Sequence, residues 1–143
     1  MKTNKTRLTL DIVTQEKRLL TTQADSVTVE TIVGELTILP NHLPLLTQLK
    51  EGVLTYEIEG KKHFVAIFGG FIEISAHNQV NVLADSAIRA EEIDIAEVEK
   101  AKKEAEKIIR QTNVHEHDLL MAEVASKQAL IKIKAAKRLS SHS

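Results

Sequence analysis

The chain contains no cysteine and no tryptophan, so disulfide bridges and thiolate metal sites are excluded. Aromatic residues are scarce: Tyr56, Phe64, Phe68 and Phe71 are the whole set. All four lie in one short region, so one core can hold aromatic rings while the rest must be aliphatic. No apolar run reaches the roughly 18 residues that suggest a membrane span. Neither sign of charge is in excess. A formal net charge of −1 argues against general nucleic-acid binding. The basic start, Met1-Lys2-Thr3-Asn4-Lys5-Thr6-Arg7, lacks the apolar stretch that a secretory signal needs after it. A cytosolic or membrane-peripheral protein is expected. At 143 residues the chain can form one domain or two small ones.

What is present is unevenly placed. All five glycines and both prolines fall between Gly34 and Gly70, and none occurs from Phe71 to Ser143. The punctuation of a turn-rich fold therefore stops midway. Residues 88–123 carry ten acids against six bases, whereas residues 124–143 carry Lys127, Lys132, Lys134, Lys137 and Arg138 and no acid. That basic end is either a solvated helix face or a tip suited to an acidic partner.

The first half alternates. Leu8, Leu10 and Ile12 face one way, with Thr9 and Asp11 between them. Val27 and Val29 repeat the pattern, as do Leu54, Tyr56 and Ile58, then Ile72 and Ile74, then Val80 and Val82. Period-two runs separated by turn residues predict antiparallel strands with one buried face. Several such strands in about 85 residues predict a small sandwich or barrel. Val65–Phe68 alternates less, which predicts burial on both faces, and Gly69-Gly70 predicts a tight turn or bulge.

Helical spacing takes over in the second half. Asp94 and Glu97 stand in the relation of an N-cap and its third helical residue. Ala101, Ala105, Ile108 and Ile109 form a narrow apolar stripe. Glu99–Lys103 and Glu106–Arg110 are i,i+4 pairs, each contributing roughly 0.2–0.5 kcal/mol. Gln111-Thr112-Asn113-Val114 breaks the pattern. A second helix is predicted from about His117 to Arg138, with a stripe of Leu120, Val124, Ala125, Gln128 and Ile131. The fold class is thus α+β. An N-terminal antiparallel β-sandwich, residues 1–87, precedes a C-terminal antiparallel two-helix hairpin, residues 88–143. Alanines at 101, 105, 122, 125 and 129 allow close helix contact but bury little area, so the hairpin interfaces should be weak and exchangeable.

Catalytic constellations are poorly supported. There is no glycine-rich phosphate loop and no recognisable Ser-His-Asp arrangement. His115-Glu116-His117-Asp118 has metal-ligand residue types, but alternate spacing puts the histidines on different helix faces. A solvated inter-helix turn is the better reading, and no metal site and no cofactor is expected.

The most informative segment is Gly34-Glu35-Leu36-Thr37-Ile38-Leu39-Pro40-Asn41-His42-Leu43-Pro44-Leu45-Leu46. Two prolines forbid a central strand or a helix interior, so it reads as a rigid exposed loop with apolar anchors. His42 is either a docking contact or a local hydrogen-bonding group of the turn, and only remotely a catalytic one. Glu35 is either a contact or an exposed strand-end carboxylate.

This segment, with Phe68-Gly69-Gly70-Phe71, Val82-Leu83-Ala84-Asp85-Ser86-Ala87 and Ile93-Asp94, closely resembles the epsilon subunit of bacterial F-type ATP synthases. The usual loop of that family is Gly-Glu-Leu-Gly-Ile-Leu-Pro-Gly-His, and Thr37 and Asn41 here replace its two inner glycines. The resemblance implies a non-catalytic subunit of the rotating central stalk, peripheral at the cytoplasmic face of the cell membrane. It implies binding to the gamma subunit and to the ring of c subunits, with Glu35, His42, Leu43 and Pro44 as ring contacts. It implies contact of an extended hairpin with the alpha and beta subunits, inhibiting ATP hydrolysis, for which Lys132, Lys134, Lys137 and Arg138 are the candidates. Some members bind ATP through a motif Ile/Leu-Asp-x-x-Arg-Ala and arginines of the second helix. The matching positions here are Ile93, Asp94, Glu97, Met121, Gln128 and Lys132. Loss of the guanidinium groups and the added charge of Glu97 predict poor nucleotide binding. The alternative is a non-catalytic adaptor of another assembly that docks through the same loop and hairpin.

Overall fold

The computed structural model describes residues 5–142. Met1–Asn4 of the basic start, and Ser143, lie outside the described residues. Ten strands run in chain order: β1 Leu8–Val13, β2 Arg18–Ala24, β3 Ser26–Thr31, β4 Gly34–Ile38, β5 Leu45–Gln48, β6 Gly52–Ile58, β7 Lys61–Ile67, β8 Gly70–Ser75, β9 Gln79–Ala84 and β10 Ala87–Arg89. They form two five-stranded sheets, ordered β2-β1-β9-β8-β5 and β10-β7-β6-β3-β4. A 3-10 turn at Ala90–Glu92 leads to α1, Ile95–Arg110, and then to α2, Glu116–Ser141.

The alternating residues fill the space between the sheets. Leu8, Leu10, Ile12, Val27, Ile72, Val80 and Val82 are fully buried there. Complete burial of each large aliphatic stabilises by about 1.5–3 kcal/mol, so this face sets the register of β1, β3, β8 and β9. One ladder departs from the antiparallel pairing expected between such strands: β1 pairs in parallel with β9, Leu10 facing Val80. Period two reports which face is buried and says nothing about strand direction, so this pair was not visible in it.

The run Val65–Phe68 is buried on both faces, as its weak alternation predicted, and Phe64 before it is buried too. Val65 and Ile67 point into the sandwich core, while Phe64, Ala66 and Phe68 point outward to α2. The aromatics therefore do not form one core. Tyr56 belongs to the sandwich, Phe64 and Phe68 belong to the helix interface, and Phe71 is exposed. Gly69 and Gly70 make the tight turn into β8, both with positive φ. A side chain at Gly70 would begin 2.1 Å from the Leu83 carbonyl oxygen, so only glycine fits.

The two open edges of the sandwich are closed differently. On one side Arg89 of β10 reaches β2, donating from Nη2 to the Leu19 carbonyl at 2.7 Å. On the other, residues 39–44 connect β4 to β5, the outermost strands of their sheets. Both prolines sit in that connection, where no ladder hydrogen bond is lost.

The helices form the expected hairpin. The Asp94 side chain accepts the Glu97 N–H at 3.3 Å and caps α1. Glu106 lies 3.7 Å from Lys102 and 3.6 Å from Arg110, while no Glu99–Lys103 pair closes within 4 Å among the described residues. The predicted stripe of α2 is out of phase. Ala122, Ala129, Ile133, Ala135 and Ala136 are buried, whereas Leu120 and Val124 are exposed and so is Ala125. Close approach to α1 and β7 selects the smallest side chains, so the alanines turn inward and leave larger apolar groups outside. Gln128 and Ile131 are half-buried.

Candidate functional site

Leu39, Pro40, Asn41 and His42 form a turn in which the His42 N–H donates to the Leu39 carbonyl at 3.2 Å. Proline at the second position and φ of 69° at Asn41 make it type II. That turn needs a left-handed residue in third place, where asparagine is the best substitute for glycine. Asn41 thus keeps the backbone course a glycine would give. The Asn41 N–H also donates to Oδ1 of Asn78, in the β8–β9 turn, at 2.5 Å. His42 is half-buried, and its Nδ1–H donates to the Leu43 carbonyl at 2.7 Å. The ring therefore does local work in the loop.

The loop offers apolar side chains to the outside. Leu43 is 79 % exposed and Leu46 66 %; Leu39 and Pro44 are also uncovered or partly so. Ile38 is the one anchor of this segment that is fully buried. Glu35 is exposed on β4, opposite Glu30 of β3. Thr37, at a position usually glycine in the resembled loop, meets Thr28 across the same ladder, with the two hydroxyls 3.1 Å apart.

A second exposed apolar surface escaped the sequence reading. On the outer face of the first sheet, Phe71 of β8 faces Leu83 of β9, which faces Val13 of β1. Phe71 and Leu83 are more than half exposed. The signal was present as apolar residues at the out-facing positions of alternating strands, where a solvated sheet would carry polar ones.

The helical hairpin folds back on the sandwich. Ala135 and Ala90 pack against Val53, Phe64, Ala66 and Phe68. At the far end of α2 the His142 ring lies 5.3 Å from the Phe64 ring. The candidate basic residues are divided. Lys134, Lys137 and Arg138 share one flank with Leu130 and Ile133, and Lys132 faces elsewhere. Ile93, Asp94, Glu97 and Lys132 line one small cleft of about 250 Å³. Met121 lies apart from them, in an open cleft of about 560 Å³ at the hairpin tip with Ala105, Ile108, His115 and Asp118. The residues matching the nucleotide motif are therefore not gathered around one cavity.

Among the described residues, two ionisable groups are shifted from their ordinary values. Asp25 is held below the ordinary carboxylate range, first by the Glu59 N–H it accepts, against an opposing effect of desolvation, and then by the charges of Lys5 and Arg7. Burial pushes the Tyr56 phenol up, helped by the nearby Glu91 carboxylate. Its ring stacks on His63 at 4.8 Å. Both groups are structural; neither opens on a cavity described above.

Comparison with known proteins divides the chain after residue 90. Residues 7–90 match the beta-sandwich domain of the ATP synthase Delta/Epsilon chain, and residues 91–137 match the long alpha-helix domain of that chain. The chain belongs to the ATP synthase delta/epsilon family. The ATP synthase epsilon chain of Dehalococcoides mccartyi is 39 % identical over 136 residues, covering 95 % of this chain and 96 % of the relative. That of Nitratidesulfovibrio vulgaris is 42 % identical over 127 residues, covering 89 % and 93 %. Among solved structures, a chain of the Euglena gracilis mitochondrial ATP synthase, a cryo-EM structure of its OSCP, F1 and c-ring, superposes with a TM-score of 0.66. It is 25 % identical, covering 98 % of this chain and 83 % of that one. No helix among the described residues is long and apolar enough to cross a membrane.

Proposed function

We propose that the chain is the non-catalytic epsilon subunit of the rotating central stalk of a bacterial F-type ATP synthase, coupling ion-driven rotation of the c-ring to ATP synthesis. The observation that carries this reading is the loop of residues 39–44, stiff in backbone and apolar on its outside. A preorganised loop lowers the ordering cost of binding. Glu35, His42, Leu43 and Pro44 are the ring contacts, and the Phe71–Leu83–Val13 row suits the gamma subunit. Association with membrane is indirect, through the ring, on the cytoplasmic face. Purification of the assembled complex tests the reading. The chain should copurify with gamma and the c-ring, and the variant Glu35→Ala/His42→Ala should lose ring binding or coupling while the sandwich stays folded. A double variant with full ring binding and full ATP synthesis overturns the contact assignment.

A regulatory role has its own support. Leu120, Met121 and Val124 remain exposed in the folded hairpin, beside a basic C-terminal half. In an extended hairpin these groups would meet the alpha and beta subunits, with Lys132, Lys134, Lys137 and Arg138 on acidic segments. Deletion of the residues after Ser126, or reversal of the four charges, should raise ATP hydrolysis by the assembled enzyme and make inhibition less sensitive to salt. Unchanged hydrolysis with the subunit still bound overturns it.

A further inference from the structure

We propose that Lys132 pins the hairpin in its folded state through its own ammonium group, in place of a bound nucleotide. This deepens the regulatory reading above. The starting point is the make-up of the contact between α2 and the sandwich. Its buried groups are Val53, Phe64, Ala66, Phe68, Ala90 and Ala135, half of them alanine, and the larger Ile88, Ile93, Ile131 and Leu139 around them are only partly buried. Lys132 stands at its margin, half-buried, with Nζ 5.8 Å from the centre of the Phe68 ring. That is within the range of an attractive cation–π contact. The same side chain is the only basic group lining the 250 Å³ cleft, whose other charged residues are Glu92, Asp94 and Glu97.

One ammonium thus stands between three parts of the fold. Phe68 directly follows β7, Glu92 and Asp94 lie on the linker, and Glu97 is on the first turn of α1. None of the three carboxylates closes within 4 Å of Lys132 among the described residues, so the attraction acts across the solvated cleft and is screened by salt. Lys132 is also held away from Lys134, Lys137 and Arg138, which share the other flank of α2. Folding the hairpin therefore withholds one charge from the basic arm, and releasing the pin returns it.

The isolated full chain provides the test, because it has no native cysteine and can be labelled at two introduced ones. Dyes at Glu51→Cys and Asn113→Cys report the distance between the sandwich and the hairpin tip. The substitution Lys132→Met keeps the apolar stem and removes the charge. It should raise the open-to-folded ratio about threefold to tenfold at low salt, and that ratio should then respond less to added salt than in the parent chain. Lys127→Met, on an exposed position of the same helix, should leave the ratio unchanged. Glu97→Gln should raise it by a smaller factor, about twofold, and its effect should not add fully to that of Lys132→Met. An open-to-folded ratio in Lys132→Met equal to that of the parent or of Lys127→Met overturns the pin, as does full additivity with Glu97→Gln. The inhibitory reading is scored separately in the assembled enzyme. Unchanged hydrolysis after deletion of the residues that follow Ser126, together with a hairpin that opens in Lys132→Met, overturns inhibition and leaves the pin standing.

Discussion

Asn78 holds the proline loop in place: its Oδ1 accepts the Asn41 N–H at 2.5 Å, joining segments 37 residues apart. Both residues have left-handed backbone, with φ of 69° and 62°. The turn after β8 is therefore shaped to present an acceptor to the loop after β4. Asn78→Ala should speed hydrogen exchange at Asn41 and lower stability by about 1 kcal/mol, the usual worth of such a bond. Asn41→Gly should be nearly neutral in thermal unfolding, whereas Asn41→Val should cost more than Asn78→Ala, because a β-branched residue is strained at positive φ. Equal melting of all three variants would remove the argument that the loop is preorganised.

Asp25 makes stability depend on pH in the acid range. Its Oδ2 accepts the Glu59 N–H at 2.7 Å, and its Oδ1 lies 3.3 Å from Arg7 Nε and 3.6 Å from Lys5 Nζ. These partners favour the charged form, so the folded state holds its proton less tightly than the unfolded chain does. The stabilisation is complete above the unfolded pKa and is lost as pH falls through the lower folded value. Urea unfolding of the parent and of Asp25→Asn should therefore differ at neutral pH, with the parent more stable, and converge under acid. A difference that grows on acidification contradicts the sign.

Much of this architecture could be read from residue spacing, and the exceptions share a cause. Leu8, Leu10 and Ile12 announced a strand because burial itself imposes the period, and Asp94 with Glu97 announced a helix start because the cap is local. The parallel partnership of β1 and β9 joins residues about 70 apart and leaves no mark on either strand. In α2 the stripe of Leu120, Val124 and Ala125 faces out, whereas Ala122 and Ala129, marked for close contact by their size, are buried. The interface there is chosen by closeness of approach, and the larger groups are left for solvent or a partner. Site residues followed the same division. His42 and Asn41 stood out through their proline neighbours, but the supporting Asn78 and the Phe68–Lys132 contact depend on tertiary folding alone.

The sandwich should fold without the hairpin. Its core is enclosed between the sheets, and the last strand, β10, ends at Arg89, whose side chain closes the edge against β2. A fragment ending after Ala90 should unfold cooperatively in urea and still bind gamma. A fragment ending at Ala87 lacks both the Arg89 bond and most of β10, and should be measurably less stable. A molten, non-binding fragment in both cases would show that α2 is part of the core rather than a cover on it.

ATP should bind the isolated chain poorly. Around the cleft that holds Ile93 and Asp94, the next charged group is Glu97, a carboxylate that repels phosphate. Lys132 is the one cation there, and it is drawn toward Phe68 and the carboxylates of the cleft. Met121 belongs to another cleft and carries no charge, and Gln128 offers an amide where a guanidinium could have made a bidentate phosphate contact. Titration calorimetry with millimolar MgATP should therefore give little heat, and the dye-reported opening of the hairpin should not respond to nucleotide. Glu97→Arg with Gln128→Arg replaces a repelling charge and adds a second fork, so the double variant should gain affinity and shift the hairpin toward the folded state on ATP addition. A micromolar dissociation constant in the parent chain would sink the claim. It would mean that a nucleotide is held without the arginines, by Lys132 and backbone groups, and that the folded hairpin is a nucleotide-dependent state after all.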